Sequence, residues 1–177
     1  MAYAVVRTDK MFGTQVKSGL QSFRFFKEVE DEEVQAEIEN GNVVMIDGLL
    51  SEEVEGETVI TNREQYHAVT PTAAADKKDI LLVATPEVVF TKSHNALDEF
   101  INRADMPARG YHLHENDIFS VTDEALDGQA AVGKLVELQA GTKLKVVASA
   151  TSGSTTIGKI IQIEQVGRYK YNVIQVA

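Results

Sequence analysis

Cysteine is absent from all 177 residues, so neither a disulfide framework nor thiol chemistry is open to this chain. Proline is scarce: Pro71, Pro86 and Pro107 are the only three, too few for a proline-rich linker. No apolar run approaches the roughly 20 residues that a membrane-spanning helix needs. The N-terminus lacks the charged-then-apolar plan of a signal peptide, which together with the missing cysteines makes a cytoplasm the expected place of synthesis and folding. Motifs that carry chemistry are equally sparse. There is no G-x-S-x-G elbow, no G-x-x-x-x-G-K phosphate loop and no dinucleotide fingerprint. What remains is ordinary for a globular chain, 44% hydrophobic and 25% charged, long enough for one domain or for a core domain with an appendage.

One sign of charge is missing from a long stretch. Between Glu28 and Ile60 stand twelve acids and no Lys or Arg, whereas Met1 to Lys27 carries five basic residues against the single acid Asp9, a net of +4. The charges of that basic arm are isolated and no groove-reading motif accompanies them, so docking on an acidic protein surface or plain solvation is expected rather than nucleic-acid binding. Within the arm, Phe23, Phe25 and Phe26 lie beside Arg24 and Lys27, with Arg7 upstream. Aromatic residues ringed by basic ones make good interface anchors, and these six are the candidate partner-binding residues. The plainer alternative puts Phe23 and Phe25 on one face of an edge strand. Glu52, Glu53, Glu55 and Glu57 nearly alternate, but a calcium loop takes short Asp and Asn ligands around a central glycine. A solvated acidic face, with Glu53, Glu55 and Glu57 on one side of a strand, is the expectation.

The last third of the chain repeats one pattern. Val132 to Leu138, Gly141 and Leu144 to Val147 are echoed by Ile157 to Ile163, Gly167 and Tyr169 to Val176, each an alternating run, a glycine turn and a second run. Each reads as a β-hairpin, and Gly133 and Gly158, at equivalent places, are expected to share one backbone setting. Further upstream, Tyr3 to Arg7 and Gln21 to Phe26 read as short strands or an arm, and Asn42 to Asp47 and Asp79 to Ala84 as strands. Asp31-Glu32-Glu33 can open a short helix carrying Val34 and Ile38 on one face and ending at Gly41. Asn95 and Asp98 resemble a capping box for a second helix with Leu97, Phe100, Ile101 and Ala104 on one face, stopped by Pro107. Val88 to Phe90 would extend the preceding strand or pair with it. The fold expected is mainly β with one or two short helices, its C-terminal part a small barrel or sandwich built from two similar hairpins. The division expected is an N-terminal arm and β/α region over 1–62, a loop or linker over 63–78, and a β-rich core over 79–177.

His112 and His114 are the one constellation that could be an active site. Two apart on a strand, they would share a face, as in β-barrel enzymes that hold iron, manganese or zinc. A third ligand is wanting, since only His67 and His94 remain and both lie elsewhere. No metal and no cofactor is therefore expected.

Leu97-Asp98-Glu99-Phe100-Ile101-Asn102, Arg109-Gly110-Tyr111-His112-Leu113-His114 and Asp117-Ile118-Phe119-Ser120-Val121-Thr122 carry a resemblance. With Ala4 to Asp9, Glu39 to Val44, Gly158-Lys159-Ile160 and Gly167-Arg168-Tyr169, the chain resembles, nearly end to end, small proteins encoded beside the major capsid gene in tailed phages and prophages of Gram-positive bacteria. The resemblance implies a virion structural protein without catalytic residues: a capsid decoration (cement) or head accessory subunit. Its partners would be the major capsid protein and further copies of itself, a trimer among the options. A tail, neck or head-fibre component is the nearest alternative, and a metal-dependent enzyme using His112 and His114 a more distant one.

Overall fold

The computed structural model describes residues 2–7, 19–87 and 96–177. The fold is mainly β, as expected, in two six-stranded sheets. The first contains β1 (Leu20–Val29), β2 (Glu32–Gln35), β3 (Val43–Val54), β4 (Glu57–Val69), β5 (Ile80–Val83) and β6 (Ala108–His112) in the order β2-β1-β4-β3-β5-β6. Because β1 also pairs with β6, five of these strands close into a ring. The single parallel contact in that ring is β1 with β4.

Alternation fills the barrel. Phe23, Phe25, Val44, Ala68, Leu81, Val83 and Ala108 form one buried cluster drawn from all five strands. Gly110 on β6 faces the same interior, where an added Cβ would come within 2.8 Å of the Leu81 Cβ and 3.1 Å of the Phe23 ring. The residues of β3 and β5 with opposite parity, Val43, Ile80 and Leu82, point outward into a second core. This double burial is why Ile80-Leu81-Leu82-Val83 is continuously apolar.

The second sheet supplies the other side of that core. It comprises β7 (Ile118–Thr122), β8 (Leu126–Asp127), β9 (Leu135–Glu137), β10 (Leu144–Val147), β11 (Thr156–Val166) and β12 (Tyr169–Val176), ordered β7-β12-β11-β9-β10-β8 and curled into a half-barrel. The repeated pattern is two hairpins, β9–β10 and β11–β12, set side by side through β9 and β11. Phe119, Val121, Val136, Leu138, Leu144, Ile157, Ile160 and Ile174 pack from it against the outer face of the barrel. Ala4 and Val6 join them, with Val6 bridged to Val121.

The two repeat glycines differ from each other. Gly133 sits at a turn with φ +92 and open space around it. Gly158 lies at a bulge opposite β9, where a Cβ would collide with the Gln175 carbonyl of β12. Glycine is required at both, at one for torsion and at the other for contact.

Both expected helices are corrected. Among the described residues there is no α-helix; Lys77–Asp79, Leu97–Glu99 and Asp123–Ala125 form single 3₁₀ turns. Glu30 and Asp31, with φ +53 and +66, make a two-residue hairpin loop that returns the chain as β2. Val34 and Ile38 are four apart, a spacing in phase with both the helical and the strand period, so it could not discriminate. Over 97–104 the tertiary structure overrides the helical pattern. Buried Asn102 pairs its backbone with Ile38 and donates its side-chain amide to the Ile38 carbonyl (2.9 Å) and to Asn40 Oδ1 (3.0 Å). Asn95 and Val88 to Phe90 lie outside the described residues.

The expected loop over 63–78 is corrected too. Arg63 to Val69 form the inner half of β4, and the chain leaves the sheet only at Thr70. Thr155, just before β11, ties the following loop down, donating from its backbone to Ala73 O and from its hydroxyl to Ala75 O, both at 2.8 Å. Strands from either side of that stretch hydrogen-bond directly, β3 with β5 and β1 with β6.

Candidate functional site

The six expected anchor residues do not form one surface. Phe23 is fully buried and Phe25 nearly so inside the barrel, because β1 is a central strand rather than an arm. Neither can serve as a surface anchor. Arg24, of opposite parity, points out and donates to Gln65 Oε1 (3.1 Å) and Gln35 Oε1 (3.2 Å). Phe26 stacks on His67, ring centroids 4.4 Å apart, and His67 in turn meets Glu33 at 3.0 Å. Lys27 is exposed nearby. Arg7 lies on the other body, 3.4 Å from Glu164 and over the Tyr171 ring.

His112 and His114 are separated by the end of the strand. His112 is the last residue of β6, half-buried, and the imidazole is pushed below its ordinary pKa by burial first and by neighbouring His114 second. His114 falls in the turn before β7, its side chain largely exposed, its Nδ1 3.6 Å from Asp117 Oδ2. That carboxylate accepts from the His114 backbone N–H at 2.9 Å, and Asn116 takes φ +70 to complete the turn. The two rings border an open cavity of about 370 Å³ with Asp76, Lys77, Lys78 and Glu115. Among the described residues no three His, Asp or Glu side chains are grouped as metal ligands would be. His67 is engaged by Phe26 and Glu33, and His94 lies outside the described residues.

Segments that are distant in sequence meet around Asp98. Its carboxylate accepts from the Tyr169 hydroxyl (2.8 Å) and from Arg168, and its backbone carbonyl accepts from Tyr3 N–H (3.0 Å). Burial alone would raise its pKa, but the Tyr169 and Arg168 hydrogen bonds outweigh it and hold the group below the usual carboxylate range. The arrangement clasps the N-terminal segment and the Leu97–Glu99 turn to the β11–β12 loop. It offers binding groups already satisfied by one another.

The feature that sequence reasoning missed is the outer half of the β3–β4 hairpin. Past the irregular register at Gly48 to Ser51, the two strands continue as a ribbon from Ser51 paired with Ile60 to Val54 paired with Glu57. Glu55 and Gly56, φ +54 and +84, close it as a two-residue turn. That turn corrects the single acidic strand face expected for Glu53, Glu55 and Glu57: Glu53 stands opposite Thr58, and Glu57 opposite Val54. The register puts Glu52, Val54, Glu57 and Val59 on one face of the ribbon and Ser51, Glu53, Thr58 and Ile60 on the other. Val54, Val59 and Ile60 are 50%, 45% and 52% exposed. Among the described residues β3 in this half has no neighbour besides β4, and β4 none besides β3, so both edges are open among them. The signal in the sequence was Glu-Gly between alternating runs, a pattern of the kind that closes two-residue hairpins.

Comparison of the chain with known protein families, with curated proteins and with solved structures finds no match.

Proposed function

We propose that this chain is a virion structural protein, a capsid decoration or head accessory subunit that binds the major capsid protein. The observation that carries the reading is the ribbon: it takes three aliphatic side chains away from both cores and holds them in solvent on an element with open edges. A segment built this way serves contact with another macromolecule and has no part in the chain's own core. The rest of the architecture suits a rigid subunit, since the barrel and the half-barrel share one continuous apolar core. The head as the place of action comes from the resemblance of Ala4 to Asp9, Leu97 to Asn102, Arg109 to His114, Asp117 to Thr122 and Gly167 to Tyr169 to proteins encoded beside major capsid genes. The test is to separate heads from tails of the phage or prophage that encodes the chain and to quantify it in each by peptide mass spectrometry. Recovery with the heads in many copies is expected. Recovery with tails or necks, or from neither, overturns the placement.

A further inference from the structure

We infer that the β3–β4 ribbon, Ser51 to Ile60, is the docking element of this chain and that its partner is a positively charged protein surface with apolar slots for Val54 and Val59, which share one face of the ribbon with Glu52 and Glu57. The inference rests on the virion reading only for which protein bears that surface.

Three observations select this occupant. Isolated exposed aliphatics such as Met106 and Val132 occur elsewhere and need no explanation, but here three stand on one short element, Val54 and Val59 on one face and Ile60 on the other, and among the described residues they are left about half exposed. A two-stranded ribbon without a third strand is marginal in water, so open edges that could accept a further strand or side chains are supported best by a partner. Charge then decides what that partner is. Glu52, Glu53, Glu55 and Glu57 crowd ten residues that hold no Lys or Arg. Edge-to-edge pairing of two such ribbons would bring two sets of four glutamates together with no Lys or Arg of either ribbon between them, which disfavours a second copy on this element. The same acids repel the nucleic-acid backbone. A basic protein face is drawn to them, and at its centre Val54 and Val59 supply burial that the acids cannot.

The test places a photo-crosslinking amino acid at Val59, and separately at exposed Lys159 on the half-barrel, in the full-length chain produced in cells making particles. Crosslinked peptides are identified by mass spectrometry. Crosslinks from position 59 to a Lys- or Arg-rich peptide of another protein are expected. With Glu52, Glu53, Glu55 and Glu57 all changed to Lys, their yield should fall by about tenfold or more. An unchanged melting temperature for the fourfold variant shows that the loss lies in docking. Crosslinks from 59 to a second copy of this chain, to an acidic or neutral peptide, or from 159 alone overturn the inference, as does a yield indifferent to charge reversal. No crosslink from either position also overturns it. If position 59 reaches a basic peptide of a tail or non-virion protein, the docking element stands and the capsid placement falls. If the chain sediments with heads but 59 stays uncrosslinked, the placement stands and the docking element falls.

Discussion

β3 and β4 pass through two environments within one hairpin. In their inner halves Val43, Val44 and Ala68 are fully buried, and the strands are flanked on both sides, β3 by β5 and β4 by β1. In their outer halves the same two strands have, among the described residues, only each other, and Val54, Val59 and Ile60 are about half exposed. The backbone ladder continues across the change, so secondary structure alone does not mark it. What marks it is the register irregularity around Gly48, where positive φ lets the hairpin leave the barrel. Residues inside this boundary answer to packing. Residues outside it are free to be selected for a partner.

The sharpest way to break the comparison is at the barrel interior. Phe23→Ala should remove about 3–5 kcal/mol of unfolding free energy, since it opens a cavity among five strands. Phe26→Ala, three residues on and outside the barrel, should cost less than about 1 kcal/mol, because only the stack on His67 is lost. Denaturant unfolding of both variants measures this. Equal losses would mean that β1 is not a wall of a closed barrel.

A second contrast lies within the half-barrel. Gly158→Ala drives a Cβ into the Gln175 carbonyl, a backbone atom that moves only if β12 moves, and about 1–3 kcal/mol or more is expected. At Gly133 the surroundings are open and only the torsion resists, so Gly133→Ala should cost about 1–2 kcal/mol. Gly133→D-Ala isolates the torsion: the D-residue accepts positive φ and should restore stability. No gain from Gly133→D-Ala over Gly133→Ala would show that the torsion is not what resists at that position.

These contrasts also indicate what could be read in advance. The alternating runs of β1, β11 and β12 were legible because one face of each meets a core, and the continuous run of β5 because both faces do. The direction of Phe23 and Phe25 followed from alternation, but their burial depended on β1 pairing with β4 and β6, contacts across more than forty residues that no local pattern encodes. The helix expected over 97–104 failed for the same reason. Its pattern was sound, yet Asn102 is held extended by Ile38 and Asn40, and the extended form satisfies a buried amide that a helix there would strand. The glutamate-rich ribbon was visible as an acid cluster, while its separation from the barrel was not, since exposure depends on where β1 and β5 stop.

The smallest effect is expected where the comparison is most exposed to failure. Val59→Ser with Ile60→Ser changes two of the more exposed aliphatic residues in the ribbon, and their side chains join neither core cluster. The ladder hydrogen bonds belong to the backbone and survive, and the lost strand propensity amounts to a few tenths of a kcal/mol on an unsupported edge. Global unfolding should therefore shift by no more than about 0.5 kcal/mol. Amide hydrogen exchange locates the boundary independently: ribbon amides from Ser51 to Ile60 should exchange by local opening, while those of Val43 to Met45 should wait for global unfolding. The double variant should speed the first set and leave the second unchanged. A loss above about 1 kcal/mol, or acceleration that spreads into Val43 to Met45, would mean that the ribbon and the barrel unfold as one unit, and the division drawn at Gly48 would have to be abandoned.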